Sequence, residues 1–442
     1  MVELVDIRQS IAAASGGPLA RRRTRLRVAG VCLVGVALGA SILPFFAVGA
    51  ALGPMMLEFD WSADQVHLAY GLMMWAGALG VWPAGVLIDR IGARTVVAAA
   101  AAAMAVVSLM LPLVRGFPQF CVLVALLGAL GSAGLGYTRI IASLFGARRG
   151  LALGVLAATG FALSRLMPTM VDRLVLGSGW QGAFTVIGLV MLTLAPILYL
   201  GLAARGAPLS PPRWTAPDRA PSKGMTAARA VRDPAFWIIV AAGLTTAAMG
   251  GGVFSSFGPA MADKGFGQAT VLGAGTITLM AALAGAICSG AVLDRSRSAR
   301  VAGAAYLATA LTYLIWSLVT PRFGGEPMLI AGLAIGAFAF TAQAPLVGYF
   351  FSRYFGLTSF ATACGLQTFL QAVCLGLAGP AIARSLGLIG DYHLVFEAGI
   401  GAQILAALLY LLLPAYRYPA VGEDGADDPA AEPVPIAGVR TQ

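Results

Sequence analysis

The sequence predicts an all-α membrane protein: twelve transmembrane helices in two six-helix bundles related by pseudo-twofold symmetry. Three observations predict it. First, 59% of the 442 residues are hydrophobic and 11% charged. Counting the glycines and leaving out the tyrosines, the apolar share is roughly 69%, against about 45–50% in soluble domains. That leaves too few polar side chains to cover a water-soluble domain, so a soluble enzyme and a disordered scaffold are both excluded. Second, apolar runs of the roughly 20 residues needed to cross a bilayer recur twelve times. Third, the two halves of the chain echo each other.

The first six runs are Val28–Ala50, Val66–Ile88, Thr95–Val114, Gln119–Phe145, Gly150–Val171 and Gln181–Ala203. A polar, proline-bearing stretch follows. Then come Ala235–Gly258, Gln268–Leu293, Val301–Thr320, Pro327–Phe350, Leu357–Ala383 and Tyr392–Pro414. The expected division is an N-terminal cytoplasmic segment (1–27), a first bundle (28–203), a central cytoplasmic loop (204–233), a second bundle (234–414) and a disordered, acidic tail (415–442). Ser62 and Gln65 form a capping box that starts span two. Prolines at 44, 83, 168, 345 and 380 interrupt spans and are expected to kink them.

Orientation follows from the basic residues, of which only Lys223 and Lys264 are lysine. With the N-terminus inside, 22 of the 29 fall in cytoplasmic segments and five in outer loops. That bias places both termini in the cytoplasm. The net charge of +10 is thus a topology signal and not a nucleic-acid footprint. The run after Arg27 is too long for a signal-peptide core and reads as a retained helix. Cys32, Cys121, Cys288, Cys364 and Cys374 all lie in apolar spans without CxxC spacing and read as small core residues.

Trp61 and Phe266 lie 205 residues apart, as do Gly85 and Gly290, and Asp89-Arg90 and Asp294-Arg295. Trp180 and Tyr392, and Phe184 and Phe396, differ by 212. A slowly growing offset is what duplication with small loop insertions produces, and such repeats mark secondary transporters. The segment Gly85-Val86-Leu87-Ile88-Asp89-Arg90-Ile91-Gly92-Ala93-Arg94 fits the pattern GxxxDRxGxR. On it the chain resembles the major facilitator superfamily over nearly all its spans, and Gly290 to Arg295 looks like a degenerate second copy. Other segments are similar to the branch of monocarboxylate transporters and oxalate/formate exchangers: Leu57 to Ser62, Phe145 to Gly154, Gly179-Trp180-Gln181-Gly182-Ala183-Phe184 and Asp233-Pro234-Ala235-Phe236-Trp237. The resemblance implies a latch at the cytoplasmic surface, built from Gly85, Asp89, Arg90, Gly92, Arg94, Asp294 and Arg295, in which an acid meets basic groups and a helix start. Many carboxylate-carrying relatives keep an arginine in span eight, four residues before the equivalent of Gly290; here that position is Ala286.

Charged residues inside spans are costly, usually face protein or water, and mark function. Arg139 continues the small-residue face Gly128, Ser132, Gly136 of span four, either as a substrate contact or as a latch arginine. Arg165 follows the ridge Gly150, Gly154, Ala158, Ala162 of span five, about 22 Å from its cytoplasmic start. It is expected to anchor an anionic group, supplying from the first half the charge that relatives keep in the second. The alternative is an outer-gate arginine paired with Asp172 or Glu397. Tyr137, Gln343, Gln367 and Gln371 offer neutral contacts, or hydrogen bonds between helices. No acid lies in mid-membrane, so His67 is the candidate for proton coupling, or simply an interfacial histidine at a helix start.

The expected function is secondary active transport of a small organic anion, a monocarboxylate, by rocker-switch alternating access, as symport or antiport, in a bacterial inner membrane. Export of an amphipathic compound or drug, or a non-transporting receptor on the same fold, are the alternatives. No enzyme is expected, because no nucleophile–His–acid set, HExxH or GxxxxGK[ST] loop is present. Neither cofactor nor metal is expected. The partners are a small solute and the lipid bilayer, with no nucleic acid, and a monomer is the working expectation.

Overall fold

A computed structural model describes residues 18–39, 42–146, 148–203, 224–296, 298–389 and 393–418. Among them, ten helices are long and apolar enough to span a membrane. One of these, Arg149–Gly201, holds spans five and six: at 53 residues it would be about 80 Å long if straight. It reverses at Gly179, whose φ of 70° and ψ of 169° break the helix. With the seventh span, Pro234–Asp263, the count is twelve. Because that backbone region is open essentially only to glycine, Gly179→Ala should cost about 1–3 kcal/mol, read as a lowered melting temperature of the purified protein.

The remaining spans are Pro18–Leu38 continued by Leu43–Phe59, then Ala63–Ile91, Ala93–Met110, and Phe117–Gly131 joined by a tight turn to Leu135–Leu144. The second half adds Gln268–Gly273 with Gly275–Arg295, Ala302–Leu318, Gly325–Ala342 with Ala344–Tyr354, Phe360–Ile389 and His393–Leu411. Pro44 and Pro345 each sit in the first turn after a break, where the missing N–H costs nothing. Pro83 and Pro168 lie inside continuous helices. The side chain of Pro380 lies outside the described set. The capping box is present in both directions: Ser62 N donates to Gln65 Oε1 at 2.9 Å, and Gln65 N to Ser62 Oγ at 3.3 Å.

Three expected boundaries shift. The first helix begins at Pro18, not after residue 27, and its arginines at 23, 25 and 27 are exposed. Residues 224–233, expected as loop, are docked: Met225 N donates to Phe355 O at 2.8 Å, and Ala227–Val231 forms one helical turn. Residues 415–418, expected in the disordered tail, form a strap on span ten. There Arg417 N and Tyr418 N donate to Arg353 O at 3.2 and 3.0 Å, and Arg417 pairs with Asp233. The expected loop segment 204–223 and tail segment 419–442, like 1–17, lie outside the described residues.

The two bundles meet along two seams, span five on span eight and span two on span eleven. Glycines let the backbones touch. A Cβ on Gly85 would lie 2.2 Å from Ala361 O, and one on Gly290 would lie 2.3 Å from Gly150 O. Leucines such as Leu72, Leu79, Leu192, Leu200 and Leu408 stand exposed around the outside, as a lipid-facing shell requires.

Candidate functional site: a two-seam latch and an exposed arginine

One end of the assembly, called here the latch face, holds the residues that the resemblance implies for a latch. Asp89, at the end of span two, accepts from Thr362 N and Thr362 Oγ1, both at 2.7 Å, and from Ala361 N at 3.3 Å. These donors open span eleven in the other bundle. Asp294, at the end of span eight, accepts from Gly150 N at 2.6 Å and Leu151 N at 2.8 Å, which open span five. Each acid therefore satisfies N–H groups that a helix start leaves unpaired, and meets the positive end of its dipole. The two contacts are twofold copies of one another. Gly92, at φ 96°, turns the chain between spans two and three. Arg94 Nε donates to Tyr199 O at 2.7 Å and its guanidinium lies 3.9 Å from the Tyr199 ring, which ties span three to span six. Arg90 and Arg295 are exposed.

Arg139 belongs to this latch and not to the central space. It forms an ion pair with Asp89, and its Nη1 donates to Leu357 O at 3.0 Å, across the seam. The small-residue face of span four gave its direction toward protein; its depth put it beside the acid.

A cavity of about 240 Å³ lies between the bundles, lined by Val36, Tyr137, Thr138, Leu153, Ala157 and Pro345, among others. Its lining is mixed, with Tyr137 and Thr138 among mostly small and aliphatic side chains. The Tyr137 hydroxyl is buried with no hydrogen-bond partner among the described residues, and Gly35 of span one makes room for the ring. Gln367 and Gln371 straddle Gly243 of span seven, and Gln371 Nε2 donates to Gly243 O at 3.1 Å. The Gln367 amide is fully buried with both polar atoms unpartnered. Gln343 is different: Thr246 Oγ1 donates to its Oε1 at 2.6 Å, and its Nε2 donates to Thr309 Oγ1 at 2.8 Å. Its hydrogen bonds knit spans seven, nine and ten. Gln343→Leu should therefore lower stability by about 1–3 kcal/mol, with solute affinity unchanged in the folded fraction.

Arg165 is exposed beside the start of the second helix of span eight, where a Cβ on Gly275 would lie 2.6 Å from its Nη2. Among the described residues it forms no hydrogen bond or ion pair. It is not paired with Asp172 or Glu397; Glu397 instead lies 3.1 Å from His393 Nδ1. His67 is exposed at the far end of span two, with Nδ1 2.6 Å from Ala63 O of its own first turn.

Two structural features carry the remaining sequence motifs. Trp180 Nε1 and Gln181 Nε2 both donate to the Glu58 carboxylate, and Phe59 stacks on Trp61 at 4.9 Å. Spans one, two and six are thus clamped at the end away from the latch. In the second half Lys264 Nζ donates to Trp316 O at 2.8 Å and Ser317 O at 2.6 Å. Arg149 and Arg353, counted in the sequence only as topology charges, are buried at the latch face. Their arginine-glycine and arginine-tyrosine contexts carry no spacing signal that distinguishes them from exposed loop arginines.

Residues 34–379 match the family described as Major Facilitator Superfamily. Mouse Monocarboxylate transporter 11 is 32% identical over 289 residues, covering 61% of this chain and 60% of that protein. The human protein of the same name is 32% identical over 309 residues, covering 64% and 61%. The chain thus spans about three fifths of the length of these relatives. Among solved structures, the E. coli fucose:proton symporter FucP (N162A) aligns with a TM-score of 0.66 at 12% identity, covering 87% of this chain and 98% of that one. The human organic anion transporter MFSD10 aligns at 0.65 and 15%, covering 87% and 99%. At such identities the structural matches speak for the fold. With the family match over most of the spans, the twelve-helix layout and the twofold latch, this multi-pass membrane protein belongs to the major facilitator superfamily, a family of transporters and not of enzymes.

Proposed function

We propose that the protein carries a small organic anion, a monocarboxylate, by rocker-switch alternating access between the bundles 28–203 and 234–414. The observation that carries this reading is Arg165, an exposed guanidinium in a span, beside the opposite bundle and without a counter-charge among the described residues. A guanidinium recognises a carboxylate by two parallel hydrogen bonds. Tyr137, Gln367 and Gln371 are the neutral contacts in this reading, since each brings a polar group that its own bundle does not fully use. Arg139 works through the latch, and Gln343 through the packing of its bundle. The positive-inside bias supports cytoplasmic termini, and with them a cytoplasmic latch face, in a bacterial inner membrane. The named activity of Monocarboxylate transporter 11 points to the same solute class.

Counterflow in proteoliposomes tests it. Labelled monocarboxylates should exchange against internal monocarboxylate, with dicarboxylates weaker. Stimulation by inward acidity would assign proton symport, and a strict need for internal substrate would assign antiport. Exchange of amphipathic cations in place of any carboxylate would overturn the solute class.

A further inference from the structure

The latch face holds a second cationic feature that the transport reading leaves unused. Arg353, at the end of span ten, is only 5% exposed, yet its Nε and Nη1 have no hydrogen-bond partner among the described residues. Its guanidinium carbon lies 4.6 Å from the Tyr416 ring and 5.9 Å from the Tyr349 ring. The Tyr416 hydroxyl is likewise buried and unpartnered. Arg149, the first residue of span five, is 4% exposed; its Nε donates to Phe145 O at 3.3 Å, and it lies within electrostatic reach of Arg353, which repels it, and of Asp294, which attracts it. The neighbouring carboxylates are already engaged, Asp294 by Gly150 and Leu151, and Asp233 by Arg417.

The orphaned atoms of Arg353 are both donors on a cation, the Tyr416 hydroxyl can donate beside them, and a second cation lies within electrostatic reach. Buried donors of this kind are costly unless an acceptor reaches them, and a buried charge more so unless a counter-charge does. The group that fits is a compact oxyanion bearing more than one negative charge. The cover is slight. Tyr416 is itself partly exposed and belongs to the strap, which is tied by Tyr354 Oη to Pro414 O at 2.7 Å and by the backbone bonds to Arg353.

We propose that Arg149, Arg353 and Tyr416 form a binding site for a phosphate group at the latch face, separate from Arg165. Arg149 and Arg165 are 16 residues apart on one helix, about 24 Å. Arg149 belongs to the first bundle and Arg353 to the second, so a phosphate held by both ties the bundles beside Asp294 and favours the closed face. Inorganic phosphate and a phospholipid headgroup share this chemistry.

The test is the melting temperature of the full-length protein in detergent, with inorganic phosphate at about 10 mM against chloride at matched ionic strength. A rise of about 3 °C is expected in the unmodified protein, and none in Arg353→Gln. The exposed Arg300→Gln should respond like the unmodified protein. If Arg353→Gln does not purify, Tyr416→Phe carries the test, with the shift cut to about half or less. A response to micelles containing phosphatidic acid, with none to inorganic phosphate, supports the site and assigns it to a headgroup. No response to either, or an equal response in Arg353→Gln, overturns it. A response seen only after removal of residues 419–442 also overturns it, because the acids of that segment would then be the natural occupant.

Discussion

Arg165→Gln is expected to cut carboxylate counterflow about 100-fold while leaving the protein as stable and monodisperse as before. The two halves of that expectation come from separate observations. The loss follows from removing the protein's member of a charge-assisted pair with the solute, which costs the bound state several kcal/mol. The unchanged stability follows from the position: the side chain is exposed, and its guanidinium bonds to no described residue. Arg165→Lys keeps the charge but loses the planar fork, and should fall about tenfold, mostly in apparent affinity. Gln343→Leu should show the opposite signature, lowered stability with affinity kept, because its amide is consumed by Thr246 and Thr309. Counterflow that survives in Arg165→Gln would remove this residue as the anion anchor and leave the superfamily assignment untouched.

The contrast between Arg165 and Arg139 shows where the sequence stops. Helical phase put both on protein-facing ridges, and in each case the ridge does run along a helix contact. Phase gives a direction around a helix but not which atom of a distant segment lies there. Arg139 meets Asp89, 50 residues earlier, and Leu357, 218 residues later, neither of which the spacing of span four can encode. Gln343 and Gln367 are equally polar intrusions into apolar runs, yet one is fully bonded and the other orphaned, a difference set by Thr246 and Thr309 on other spans. Bilayer physics made the spans legible, since every backbone group must be satisfied within a helix. The repeat offset made the twofold pairing of Asp89 and Asp294 legible. The turn at Gly179, the helix start at Pro18 and the docked strap depended on local backbone and tertiary contacts that hydropathy does not report.

The latch makes the second large effect, and Cys364 is its natural reporter. This thiol is 1% exposed on span eleven, one turn beyond Ala361 and within electrostatic reach of Asp89 and Arg139 in the other bundle. It becomes accessible only when the seam between spans two and eleven parts. In a variant whose other four cysteines are replaced, Asp89→Asn should speed maleimide labelling of Cys364 about 100-fold. The change leaves Arg139 buried without its anion and weakens three hydrogen bonds, worth about 3 kcal/mol, and each 1.4 kcal/mol is tenfold in population. Asp294→Asn removes a carboxylate from a helix start and its attraction for Arg149, but breaks no direct ion pair of the kind Arg139 makes with Asp89, so about tenfold is expected. The weaker variant is the more telling one. Asp294 lies on the seam between spans five and eight, and Cys364 on the other seam. If the bundles rock as bodies, breaking either contact exposes both seams, and the double variant multiplies the two effects. Labelling that rises in Asp89→Asn and not in Asp294→Asn would mean that span eleven peels away locally, and that the twofold latch does not couple the bundles as one hinge.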